Sequence, residues 1–194
     1  MKKLFFLDME MTGLDVTKNR IIEVAIIITD LELRELDRYQ AVIRQPQEFI
    51  DQMDDWNVTT HTKSGLIHEI SRGRLQIEVE MEIVNLLKRH FKGVRVMLTG
   101  NSISQDKLFI ETYMKRFAKH LHYRIIDISS MKAVFQSMLG IKFQKGDTHR
   151  AMDDVEKSIE ELKFYLSFID VNKLDAYIPG EDNSYDMNEE NPFF

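Results

Sequence analysis

The chain has no cysteine among its 194 residues. That excludes disulfides and thiolate metal sites, and it makes a reducing cytoplasm the natural compartment. Long apolar runs are missing as well. The opening MKKLFFLD places only four apolar residues between its lysines and Asp8, too few for the core of a signal peptide. No later run is long enough to cross a membrane as a helix. A surplus of positive charge is absent too. The net charge is −6, and residues 170–194 account for it, with seven acidic residues against the single Lys173. The remaining body holds 25 residues of each sign, so it is no electrostatic sink for long nucleic acid. A nucleic-acid enzyme of this charge is expected to grip few phosphates and to prefer short substrates.

What is present reads as one soluble globular domain with a full core. Leu4–Leu7 and the nearly continuous β-branched run Ile21–Asp30 are expected to be buried strands, with Arg38–Arg44 a more exposed third. Apolar residues at Ile77, Met81, Val84, Leu87 and Phe91 predict a helix over 76–91, with Lys88 snorkelling out of that face. Strands are expected at 94–98 and 123–128, and helices at 107–120, 130–139 and 151–169, with Gly140 closing the middle one. Phe109, Tyr113, Met114 and Phe117 would share one face of the helix over 107–120. Strands first and helices later fit an α/β or α+β domain. The domain is expected to span 1–169, and the acidic stretch 170–194, punctuated by Pro179–Gly180, reads as a flexible tail.

Four acids and one histidine carry the chemistry. Residues two apart on a strand share a face, so Asp8 and Glu10 point together and Met9 points into apolar packing. Alone, they are equally two solvated acids at a strand end. Asp106 follows a strand and a Gly–Asn turn at the start of a helix, where an acid can also serve only the helix dipole. The last helix is sharper. Ala151, Val155, Ile159, Leu162, Leu166 and Ile169 form one stripe at 3.6 residues per turn. Asp153 falls almost opposite it and Asp154 about 90° from its centre, so Asp154 is the aspartate that can reach an internal site. His149 lies just before that helix. Carboxylates that converge are stable only around cations, and a cysteine-free acid cluster suits magnesium or manganese. Two such ions can clamp an in-line displacement at phosphorus, and a histidine can serve as base near neutrality.

Together these residues resemble the DEDD exonucleases of the histidine-containing subclass, whose final motif H-x-A-x-x-D is matched by His149, Ala151 and Asp154. The segments DMEMTGLD, RIIEVA, MDDWNVTTHTKSGL, GNSISQD, HYRIIDIS and HRAMDD are similar, in order, to those of one family, oligoribonuclease. That resemblance spans about residues 4–168. It implies an α/β, RNase H-like fold with a mixed central sheet flanked by helices. It implies a homodimeric 3′-to-5′ exoribonuclease that degrades very short RNAs, chiefly dinucleotides, to nucleoside 5′-monophosphates. Asp8, Glu10, Asp106 and Asp154 would hold two divalent cations, Mg or Mn, with His149 as general base. Leu14 would wedge between the two bases, and Trp56 and His61 would line the base pocket. Ser102, Tyr123, Arg124, Ser129 and Lys132 would cap the 5′ phosphate, with Tyr123 and Arg124 supplied by a second subunit. The readings that compete are a DEDD exonuclease acting on longer DNA or RNA, and an inactive RNA-binding module on the same fold.

Overall fold

An eight-residue strand, β1 (Leu4–Met11), is the axis of the molecule; its side chains alternate in direction and, from Asp8 on, in kind as well. Phe5, Leu7, Met9 and Met11 enter one apolar core, while Leu4 and Phe6 enter another on the opposite face. The computed structural model describes residues 3–144 and 150–170. β2 (Ile21–Thr29) runs antiparallel to β1 and is buried along its whole length, as its unbroken β-branched sequence predicts. β3 (Glu35–Val42) pairs antiparallel on the outside of β2. β4 (Val96–Gly100) and β5 (Leu121–Asp127) add in parallel on the other side of β1. The sheet order is β3-β2-β1-β4-β5. It is a mixed sheet, flanked by helices on both faces.

The parallel pairing of β1 and β4 ends at Phe6–Thr99. Gly100 makes that junction possible, because a Cβ there would lie 2.6 Å from the Leu7 carbonyl oxygen. β4 thus ends tight against β1 and releases the chain into α4 (Ile103–Tyr113) over the second half of β1. α7 (Ala151–Leu166) packs across β1 and β2 from the other face through Ala151, Val155, Ile159 and Leu162.

Between β3 and β4 lie α1 (Gln47–Asp51), α2 (Asp55–Lys63), two single-turn 3₁₀ helices (Leu66–His68 and Ile70–Arg72) and α3 (Gln76–Phe91). Apolar spacing missed α2 because the residues it buries are Asn57, Thr60 and His61, which leave no hydrophobic stripe. Its start is nonetheless capped, with Asp54 accepting the Asn57 N–H at 2.8 Å.

Other expectations need correction. α3 buries Val79, Ile83, Val84, Leu86, Leu87 and Phe91, while Ile77 and Met81 are exposed. The true face is rotated from the expected one, so Lys88 is exposed and has no apolar stripe to leave. The helix expected over 107–120 is two, α4 and α5 (Lys115–Ala118), broken at Met114 (φ −123°, ψ 63°). The buried carboxylate of Glu80 accepts the backbone N–H groups of Arg116 at 2.5 Å and Phe117 at 3.1 Å, and so caps a second helix start there. α6 (Ile128–Leu139) ends at Gly140 in the left-handed conformation, as expected. α7 stops at Leu166, and both Leu166 and Ile169 are exposed. Towards the end of α7 the buried face includes Ser158, Glu161 and Tyr165 beside Ile159 and Leu162, and Leu166 falls outside it. The expected tail lies outside the described residues, apart from Asp170.

Candidate active site

The face of β1 that buries Leu4 and Phe6 next presents Asp8 and Glu10, and α7 lies over that face. Asp154 sits in the first turn of α7. One carboxylate oxygen from each of Asp8, Glu10 and Asp154 lies within 4.8 Å of the others. Asp153 is also half-buried but is not part of this group. Lys157, one turn further along α7, is 3.8 Å from Asp154.

Asp106, in the first turn of α4, reaches the same stretch of strand from the β4 side. β4 no longer pairs with β1 there, and the buried Asp106 carboxylate accepts the Met9 backbone N–H. Burial raises its pKa well above the usual carboxylate range, and Glu10 and Asp127 push it further the same way. Glu10 is raised to about 7, first by burial and then by Asp154 and Glu23, with Arg150 pulling the other way. Acids this close and this poorly solvated resist ionising together, and cations relieve that cost. The site therefore fits divalent cations, which take hard oxygen ligands. His149 lies outside the described residues.

The scaffold behind these acids was not anticipated from sequence. Glu23, fully buried, is the cross-strand partner of Glu10. It receives Arg150 Nη2 at 2.7 Å, Gln40 Nε2 at 2.9 Å and the Ala151 N–H at 3.1 Å. Arg150 also donates to Glu69 at 2.8 Å. One guanidinium thus ties the start of α7 to β2 and to the segment after α2. A signal was available, since a glutamate inside IIEVAIII must find a cation or lose its charge.

The residues expected to touch substrate occupy distinct surroundings. Leu14 is 73% exposed on the β1–β2 loop. Its carbonyl accepts from Gln105 Nε2 at 2.8 Å, and Arg20 braces the same loop, stacked over Phe49 at 4.0 Å and Tyr113 at 4.7 Å. Trp56, the one tryptophan, is 65% exposed on α2, so it is no core anchor. His61 is buried five residues further along α2, with Nε2 3.0 Å from the Met11 carbonyl. Ser102 and Ser129 meet at the carboxyl ends of β4 and β5, their hydroxyl oxygens 3.2 Å apart. Tyr123 and Arg124 are exposed on the edge strand β5, the guanidinium 5.3 Å from the Tyr123 ring. Lys132 is half-buried on α6.

A family model described as Exonuclease matches residues 5–162. The human mitochondrial oligoribonuclease is 38% identical over 180 residues, covering 90% of this chain and 76% of the human protein. The oligoribonuclease of Actinobacillus pleuropneumoniae is 40% identical over 179 residues, covering 89% and 97%. The chain belongs to the oligoribonuclease family. Among solved structures, the zinc-bound complex of E. coli exonuclease I with single-stranded DNA superposes with a TM-score of 0.70 at 16% identity, covering 91% of this chain. Exonuclease I of Methylocaldum szegediense gives 0.63 at 15%, covering 82%. The chain spans less than half of these exonuclease I chains, 42% and 39%. Those likenesses establish the α/β, RNase H-like fold, and the family establishes a nuclease.

Proposed function

We propose that the chain is a 3′-to-5′ exoribonuclease that degrades very short RNAs, chiefly dinucleotides, to nucleoside 5′-monophosphates. The observation that carries this reading is the convergence of Asp8, Glu10 and Asp154 within 4.8 Å, in a chain of the oligoribonuclease family. Asp8, Glu10, Asp106 and Asp154 would hold two divalent cations, Mg or Mn. Such ions would stabilise the attacking and leaving oxygens of an in-line displacement at phosphorus. His149 is the general base of this reading. It stands five residues before Asp154 and next to Arg150, whose hydrogen bonds fix the start of α7. It would take a proton from the water that attacks phosphorus as the bond to the departing 3′ oxygen breaks, and that oxygen would take up a proton from solvent to leave as a hydroxyl.

Leu14 and Trp56 supply exposed apolar surface on rigid supports, and stacking or wedging against bases is tolerant of sequence. Ser102, Ser129 and Lys132, with Tyr123 and Arg124 of a second copy, would close the site around a 5′ phosphate and exclude longer strands. Exposure of Tyr123 and Arg124 on an edge strand supports their use in a homodimer. Among the described residues no helix is long and apolar enough to cross a membrane. With no cysteine to protect, we place the enzyme in the cytoplasm, although the human relative is named as mitochondrial. The catalytic domain is taken as residues 1–169.

The test is cleavage of labelled RNA from dinucleotides to about 20-mers with Mg or Mn. The expected outcome is the highest kcat/KM on dinucleotides and none after chelation. Faster cleavage of the long strand would refute the reading.

A further inference from the structure

The apolar stripe of α7, formed by Ala151, Val155, Ile159 and Leu162, leaves Lys157 about 155° from its centre. A lysine so placed is expected to extend into water. Lys163, which stands nearer the stripe, is exposed, as are Glu156 and Glu160. The Lys157 side chain is only 16% exposed, the same as that of Asp154. Its neighbours on the helix surface are acids, Asp154 three residues before it and Glu161 four residues after it. Glu161 is buried and accepts from the Tyr165 hydroxyl at 2.9 Å and from Asn101 Nδ2 at 3.0 Å. Lys157 forms an ion pair with Asp154 at 3.8 Å. That separation is longer than a hydrogen bond, so the ammonium is held near the carboxylate without being locked onto it. A lysine carries its charge on a flexible four-carbon stem and can withdraw it.

The pair brings one positive charge to the edge of the group Asp8, Glu10 and Asp154, whose oxygens lie within 4.8 Å of one another. Like charges this close oppose one another, and the ammonium offsets part of that cost. A divalent cation that takes Asp154 as a ligand has to compete with the ammonium for the same carboxylate. We propose that Lys157 is an internal counter-ion of the acid group, one that stands in for part of the cation's charge and withdraws from Asp154 as a cation binds. The affinity for divalent ions is thereby set below what the acids alone would give. The inference rests on the cation site proposed above.

The measurement is titration calorimetry of the full chain, stripped of cations, with manganese ion alone and no substrate. Absence of saturable uptake by the wild type would overturn the cation site, and this inference with it. Given uptake, Lys157→Met is expected to lower the half-saturating manganese concentration about fivefold, the upper range for a screened ion pair. Lys157→Arg keeps the charge and should stay close to the wild type. At one fixed manganese concentration, the gain in melting temperature should be larger in Lys157→Met than in the wild type, because tighter binding to the folded state stabilises it further. A purely structural lysine would give weaker binding on removal, or no change. Unchanged or weaker manganese binding in Lys157→Met, or equal tightening in Lys157→Arg, would overturn the proposal. If Lys157→Met does not fold, Lys157→Gln makes the same comparison with the same expected direction.

Discussion

Glu10, half-buried, and Glu23, fully buried, face each other across β1 and β2, and they have opposite surroundings. Glu23 is met by a guanidinium, a side-chain amide and a backbone N–H. Glu10 is met by Asp8 and Asp154, and burial, followed by Asp154, raises its pKa to about 7. A buried charge with its partners supplied by the chain belongs to the scaffold. One crowded by like charges marks the place where the fold leaves its compensation to something bound. Glu23 itself pushes the Glu10 pKa up, and Arg150, held on Glu23, pulls it back down.

Removing the crowded acids should have the largest effect on activity. Glu10→Gln is expected to reduce dinucleotide hydrolysis by about a thousandfold or more, since the acids act as a unit. The same change should raise the melting temperature of the cation-free protein at pH 8, because it deletes repulsion. Lower stability with activity retained would reverse the assignment of the two glutamates.

Breaking the compensated pair should act mainly on stability. Arg150→Met leaves Glu23 charged and fully buried, and it is expected to cost roughly 3 kcal/mol in chemical denaturation. That is the low end for such pairs, because the Arg150 side chain is itself 24% exposed. A loss below about 1 kcal/mol would show that the clamp is dispensable.

The pH dependence separates the pair further. Glu10 holds its proton more tightly when folded, at about 7 against an ordinary 4.5. Its contribution to stability is whole below about pH 4.5 and is lost as pH rises through about 7. Cations that compensate the ionised form should therefore raise the melting temperature more at pH 8 than at pH 5. An equal gain at both pH values would contradict the link between Glu10 and the cations. Smaller again are the exposed contacts. Leu14→Ala and Trp56→Ala should raise KM for a dinucleotide about tenfold with little change in stability, consistent with the worth of one stacking contact.

The strands were legible because β-branched runs such as IIEVAIII have few alternatives, and the alternation of Asp8, Met9, Glu10 and Met11 in β1 shows which residues share a face. The α7 argument from spacing selected Asp154 over its neighbour because four apolar residues define that helix's face near its start. Where polar side chains do the packing, spacing says nothing. α2 buries Asn57, Thr60 and His61, and in the far half of α7 Ser158 and Glu161 share the buried face with Ile159, Leu162 and Tyr165. The break between α4 and α5 depends on Glu80, more than thirty residues earlier in the chain, so no local pattern announces it. The clamp of Arg150 on Glu23 and Glu69 is equally remote in sequence, and only the oddity of a charge within β2 hints at it.

The most direct test compares two adjacent aspartates. Hydrolysis of a labelled RNA dinucleotide with saturating Mg or Mn should be abolished by Asp154→Asn and remain substantial in Asp153→Asn. Equal loss in both variants, or activity surviving in Asp154→Asn, would contradict a site built from Asp8, Glu10 and Asp154.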